Sequence, residues 1–306
     1  MYNLTDFISI FLLISITVLM ALRWPAISRI LLIALVVRFL FLIINNHIFY
    51  LPDAVMDAKN YEQIAWENSQ DGFFNNFSNY HGPGAYFISF MLAIPYSLFG
   101  RSILLVQSLS IFFGIGSVFL GWLVAKKLWD NTTAKKVAWL IALFPTLISY
   151  SVLTMREVYV SFFLLLAMYG IVSWVRSSNY KSILFVFIGF IGATFFHGAS
   201  IIGLFVFLII ITYNIFLKIL KLLMIRRINF KIITIFIFSL FILGLYFTNK
   251  IHLPYIDTFE VAVDPLFLKE TINWKVKGTA AYPEWTKINE FSELIYKVPI
   301  RSVYFL

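Results

Sequence analysis

With 306 residues, 61% of them apolar and only 13% charged, the chain carries more apolar surface than a soluble fold could hide, and its composition is that of a membrane protein. The net charge of +9 would point a soluble protein toward an anionic partner, but the basic residues here lie in short loops between apolar runs and report topology, so nucleic acid is not the expected partner. There is no cysteine, which excludes disulfides, thiolate catalysis and Cys-ligated metals.

Met1 to Asp6 holds no basic residue and Arg23 follows the first apolar run, the reverse of a cleaved signal peptide, so residues 7 to 22 are read as a retained helix. Further runs of near-spanning length cover 28 to 49, 102 to 125, 137 to 154, 157 to 175, 182 to 196, 200 to 218 and 232 to 248. The expected fold is therefore all-α, a polytopic transmembrane bundle of about eight spanning helices.

Residues 84 to 100 (GAYFISFMLAIPYSLFG) are short and interrupted by Pro95, and they are read as an interfacial or re-entrant helix. On that reading the loops of one side hold 13 Lys and Arg against one acid, Asp130. The other side holds Asp53, Asp57, Glu62, Glu67 and Asp71 in the segment 50 to 83, together with the mixed charges after 249. If 84 to 100 crossed the bilayer, the lysines at 126 to 136 would move outside and the positive-inside bias would fail.

Residues 1–248 are thus expected to form the bundle, including an outside loop at 50–101, and residues 249–306 a second outside region with Tyr255, Trp274, Tyr282 and Trp285. The closing residues VPIRSVYFL read as the start of a further apolar helix, as in a truncated chain.

The candidate site residues lie on the outer side. Asp53, Asp57 and Tyr61 are spaced by four and share a face if LPDAVMDAKNYEQIAW is helical. They read either as a general base or acceptor anchor at the membrane surface or as an ordinary solvated helix face. Arg156-Glu157 stands between two apolar helices with almost no loop around it. Arg grips phosphate bidentately and Glu could serve as base, while the plainer reading is a polar turn at the interface.

Arg38 lies about ten residues from either end of its helix, near the midplane, and needs a buried partner or a wet cavity. It reads as a structural salt bridge as readily as a ligand contact. His197 falls at a helix end, where capping or packing is the commoner role. His47 and His81 share its side, which leaves a divalent metal ion open as a cofactor, though no spacing specifies a metal site and none is assigned.

The stretch DAKNYEQIA, then HGPGAYFISFMLAIPYSLFG, then a helix ending VAKKLW, resembles the start of the GT-C glycosyltransferases, with Asp57 and Pro83-Gly84 at the positions of that family's loop acid and proline pair. LTMREVYVSFFLLLAMYGIVSW and FVFIGFIGATFFHGASIIGLFVFLI more closely resemble the EpsG-like and Wzy-like repeat-unit polymerases of bacterial surface polysaccharides. Arg156 and His197-Gly198-Ala199 match that pattern at a separation of 41, and Glu157 stands where it often has Gln.

The resemblance covers roughly residues 28 to 220. It implies a GT-C-like bundle in a bacterial inner membrane, with the N-terminus and active site on the periplasmic side. It further implies a polyprenyl-linked sugar donor and a glycan acceptor, with Asp57 and Glu157 as catalytic carboxylates. Arg156, Arg38, His197, Tyr61, His81 and Asp53 would bind substrate or its diphosphate. The alternatives are a transferase adding one sugar to lipid or protein, a polyprenyl-oligosaccharide flippase or other transporter, and a structural membrane subunit.

Overall fold

The computed structural model describes residues 3–78, 82, 84, 86–177, 180–224, 230–250, 264, 266, 270, 273, 283–293, 295–297 and 299–300. His81, Pro83, Tyr255, Trp274 and Tyr282 lie outside them. The described residues are helical, with no strand among them. They form two compact units, Met1–Leu204 and Phe205–Leu306.

The first unit opens with two apolar helices, α1 (Leu4–Arg23) and α2 (Ser28–His47), joined by a 3-10 turn that begins at Pro25. Proline serves there because its missing N–H falls in a first turn, where no intrahelical acceptor exists. Outside the apolar bundle follow α3 (Asp57–Gln70), α4 (Phe73–Ser78) and α5 (Phe87–Phe99). The bundle resumes with α6 (Ile103–Leu128), α7 (Asn131–Leu143), α8 (Pro145–Val152), α9 (Arg156–Ser177) and α10 (Lys181–Phe196).

Among the described residues, five helical stretches are long and apolar enough to cross a membrane: Leu4–Arg23, Pro25–His47, Ile103–Leu128, Arg156–Ser177 and Gly198–Leu217. These meet five of the eight expected spans, and two of the remaining runs differ from expectation for physical reasons. The run 137 to 154 is not one helix, because Phe144 is extended (ψ 116) and Pro145 has no N–H to bond back, so α7 ends and α8 restarts. Moreover Lys181–Phe196, at 16 residues, reaches only about 24 Å against a hydrocarbon core of roughly 30 Å.

Contacts between helix ends establish the order of the bundle. Ser102 at the start of α6 donates a short hydrogen bond to Asp6 near the start of α1, and Trp24 beyond the other end of α1 packs on Phe119 of α6 at 4.5 Å. The two helices therefore run parallel. Asn46 at the end of α2 bonds Gln107 in the second turn of α6 at 3.1 Å. The chain thus leaves α2 and re-enters at α6 on the same end, and α5 does not carry it across.

At the opposite end the basic loops gather. Arg176 donates to the Leu128 carbonyl at 2.8 Å, Lys127 lies over the Tyr169 ring at 5.2 Å, and Arg29 and Lys135 line one cleft.

Helices α9 and α10 pack through small residues. A Cβ on Gly189 would meet Ala167 N at 2.4 Å and Phe163 O at 2.6 Å, and one on Gly170 would meet Val186 N at 2.7 Å. Backbones approach this closely only where side chains are absent.

The second unit contains most of α11 (Ile201–Met224) and α12 (Phe230–Phe247), which pair as an antiparallel hairpin. Thr212 donates to Ser239 at 2.7 Å, and Phe205 and Tyr246 rings lie 4.9 Å apart. Farther on, the Asn273 side chain bonds both the N–H and the carbonyl of Ile288, at 2.8 and 2.7 Å.

Candidate functional site

The site is built in the first unit where α3 meets the turn between α8 and α9. Helix α3 is amphipathic, with Ala58, Tyr61, Glu62, Ala65 and Ser69 buried, and it is held by polar pins rather than by apolar burial alone. Thr154, in the turn between α8 and α9, donates to the Ala58 carbonyl at 2.7 Å, and Ser89 of α5 donates to the Tyr61 carbonyl at 2.9 Å.

Between α3 and α5 lies a buried carboxylate, Glu62, 6% exposed. It accepts from Arg101 Nε and Nη2 at 3.0 and 2.8 Å and from the Tyr96 hydroxyl at 2.8 Å. Burial and the adjacent Glu62 charge push the Tyr96 phenol well above its ordinary range, so it stays a donor. These donors make burial of Glu62 tolerable and fix the orientation of α3.

Asp57 is the first residue of α3, where the free N–H groups and the helix dipole favour a negative charge. The helix does not extend back to Asp53, which lies in a turn with φ 67, a conformation that Asp tolerates better than most residues. Asp53, Asp57 and Tyr61 therefore do not form one helical stripe. Only the last two do, while Asp53 accepts from the Tyr150 hydroxyl of α8 at 3.1 Å.

Four of the residues singled out from sequence come together. Burial raises the Tyr61 phenol above its ordinary value; Arg156 opposes this, and Asp57, Glu157 and Tyr86 add to it, so all four lie within electrostatic reach of its oxygen. Tyr150 lies within reach of Glu157 and Asp57 as well as Asp53. The Tyr61 and Tyr86 rings meet edge-on at 5.9 Å.

Arg156 Nε bonds Glu157 Oε1 at 3.2 Å in the first turn of α9, leaving Glu157 Oε2 enclosed and without a hydrogen-bond partner among the described residues. A carboxylate oxygen that is enclosed yet unbonded, beside a guanidinium, is a competent proton acceptor with an anion-stabilising neighbour.

His197 caps α10 and is half-buried. The carbonyl of Phe195 accepts from Gly84 N at 3.2 Å, and Phe195 stacks on Phe87 at 4.9 Å, so the end of α10 meets the start of α5 close to Tyr86. This brings His197 to the margin of the cluster. His81 lies outside the described residues. Among the described residues, no three His, Asp or Glu side chains are arranged to hold a metal ion.

Arg38 is placed differently. It is fully buried, and its Nη1 donates to Ala34 O one turn back and to Ala142 O, both at 3.2 Å. Ala142 lies in the last turn of α7, where the break at Phe144 and Pro145 removes the next N–H partners, so Arg38 caps a broken helix. Gly114 makes room for it: a Cβ there would lie 3.1 Å from Arg38 Nε and 2.6 Å from Ser151 Cβ. Among the described residues the bonds of Arg38 go to backbone and not to a salt-bridge partner, and Nε and Nη2 make none.

Sequence reading passed over Tyr150, Tyr86 and Thr154, whose roles come from tertiary contact. It also passed over the amides Asn45, Asn46 and Gln107, which bond one another where the last turn of α2 meets the start of α6. Their signal was present, since amides inside the apolar runs FLIINNHIFY and ILLVQSLS cost energy in a membrane unless they are paired or used. Comparison with protein-family models, with curated proteins and with solved structures finds no match to any of the three.

Proposed function

We propose that the protein is a membrane glycosyltransferase that uses polyprenyl-(di)phosphate-linked donors in bacterial surface polysaccharide assembly, as a repeat-unit polymerase. The observation that supports this reading is that Asp57, Arg156 and Glu157 all lie within electrostatic reach of the Tyr61 phenol, at the end of the bundle remote from the basic loops.

In this reading Asp57 or Glu157 takes the proton of the acceptor hydroxyl, that oxygen attacks the anomeric carbon, and the diphosphate leaves with its charge held by Arg156. The basic loops face the cytoplasm, which puts the carboxylates on the periplasmic side. Exposed Asp57 suits contact with a bulky glycan, and Glu157 with its unbonded oxygen is the better-enclosed base.

The test is a gel separation of surface polysaccharide and lipid-linked precursors from a strain lacking the gene, complemented with wild type, Asp57→Asn or Glu157→Gln. Long chains collapsing to single complete units with at least one variant, at normal membrane abundance, is the expected result. Full-length chains lacking one sugar would make the protein a single-addition transferase. Complete units trapped on the cytoplasmic side would make it a flippase, and full activity in both variants would remove the proposed base.

A further inference from the structure

On the face of α3 away from Asp57 lies a cavity of about 290 Å³, at the small end of ligand pockets. Its inner wall is the amide group Asn45, Asn46 and Gln107, and its outer wall carries Lys59, Gln63 and the Glu62–Arg101 pair. The amides bond one another through Asn45 Nδ2 to Asn46 Oδ1 at 3.0 Å and Asn46 Nδ2 to Gln107 Oε1 at 3.1 Å. Asn46 Oδ1 also accepts from Gln107 Nε2 at 3.3 Å and is filled, and Asn45 Oδ1 accepts from Leu51 N at 3.0 Å, so among the described residues each amide keeps an N–H, and Asn45 and Gln107 keep a lone pair, to offer a ligand. Tyr50, 73% exposed, stands at the rim with an open aromatic face.

A second hollow, of about 350 Å³, adjoins the first. Its walls are mostly apolar, with Phe7, Ile10 and Ile14 of α1 and Phe39, Leu42 and Ile43 of α2, and Asp6, Asn46 and His47 are its polar members. Asn46 lines both hollows, so the amide cavity and the apolar groove share a wall. The groove runs between two helices whose outer faces expose Phe11, Leu12, Val36 and Leu40, the surfaces that meet lipid.

We propose that these two hollows bind one amphiphile, its hydroxyl-rich ring in the amide cavity and its hydrocarbon chain in the groove between α1 and α2. Planar amides with both donors and acceptors match vicinal hydroxyls, which also donate and accept. Glu62 pairs with Arg101, and Lys59 on the outer wall adds an ammonium that can donate to a ring hydroxyl. The groove opens toward the bilayer, so the chain enters without leaving an apolar medium. The choice of a saccharide as the ring rests on the reading given under Proposed function.

The test uses the whole protein, purified in amphipol so that no sugar-headed detergent competes, and titrated calorimetrically with glucose, octyl glucoside and an octyl sulfobetaine. Octyl glucoside is expected to bind at least tenfold more tightly than glucose. Gln107→Leu, or Gln63→Leu on the exposed opposite wall should the first not fold, weakens both sugars at least tenfold. Ile10→Trp, which fills the groove, removes the advantage of the octyl chain and leaves glucose unchanged.

Equal affinity for glucose and octyl glucoside would overturn the shared site, as would sulfobetaine binding as tightly as octyl glucoside or indifference to both Gln substitutions. Asp57 lines neither hollow, so the two readings fail separately. Normal glucoside binding with full polymer in the carboxylate variants would sink the catalytic assignment alone. No glucoside binding with polymer lost on Asp57→Asn would sink this inference alone.

Discussion

Glu62 and Arg101 show how one ion pair organises the outer layer. The pair is asymmetric, with the Glu62 side chain 8% exposed and that of Arg101 44%. Removing Arg101 leaves the buried carboxylate with only Tyr96, a penalty that partial solvent access reduces from the value for a fully buried pair. Arg101→Ala is expected to destabilise the protein by about 2 kcal/mol, measured as a fall in melting temperature in detergent. A change below about 0.5 kcal/mol would mean that α3 is held by Ser89 and Thr154 instead.

Asp130 caps α7 through a 2.7 Å bond from Thr133 N, and its bonds to Thr133 lower its carboxyl below the ordinary Asp value. A depressed folded-state value means that the contribution is complete above the unfolded value and is lost as pH falls through the folded one. Asn keeps the cap but not the charge. The melting-temperature gap between wild type and Asp130→Asn should therefore be present at neutral pH and close as the solution is acidified below the ordinary Asp range. A gap that widened on acidification would contradict the assignment.

At the scale of elements, α9 and α10 carry Arg156, Glu157 and His197, and their mutual placement depends on glycine. At Gly189 an added methyl meets the Ala167 and Phe163 backbone, which cannot swing away as a side chain could. Gly189→Leu should therefore cost about 1–3 kcal/mol, read as loss of melting temperature, whereas Gly244→Ala, in open space, should cost nothing measurable.

Helix positions were mostly legible, since apolar runs bounded by Pro, Gly and charge are a one-dimensional signal. The break at Phe144 and Pro145 was written in the sequence but was masked there by apolar residues on both sides. The separation of Asp53 from α3 was not legible, because spacing by four fits a helix and the left-handed turn at Asp53 shows only in the fold. Likewise Asp57 and Arg156 could be placed on one side from charge bias, but their convergence on Tyr61 depends on Thr154 pinning α3, a contact across 96 residues.

For the whole molecule, the return of the chain to α6 beside α1 matches the topology that charge bias alone demanded, with 84 to 100 not crossing. The orientation that follows is testable in intact cells. Cysteines introduced at Lys135 should resist a membrane-impermeant thiol reagent, and cysteines at Asn75 should label. The reverse pattern would invert the protein in its membrane and sink the periplasmic placement proposed for the carboxylates.

The clasp between Arg38 and Ala142 also bears on how the chain is made. The two residues are 104 positions apart, so at ordinary translation rates roughly 5 to 20 s separate their synthesis. During that interval α2 carries a guanidinium whose later acceptor has not yet been synthesised, which is costly for a helix alone in lipid. Until then Arg38 has only the Ala34 carbonyl of its own helix, so α2 alone at its final depth carries a cost that the arrival of α7 lowers.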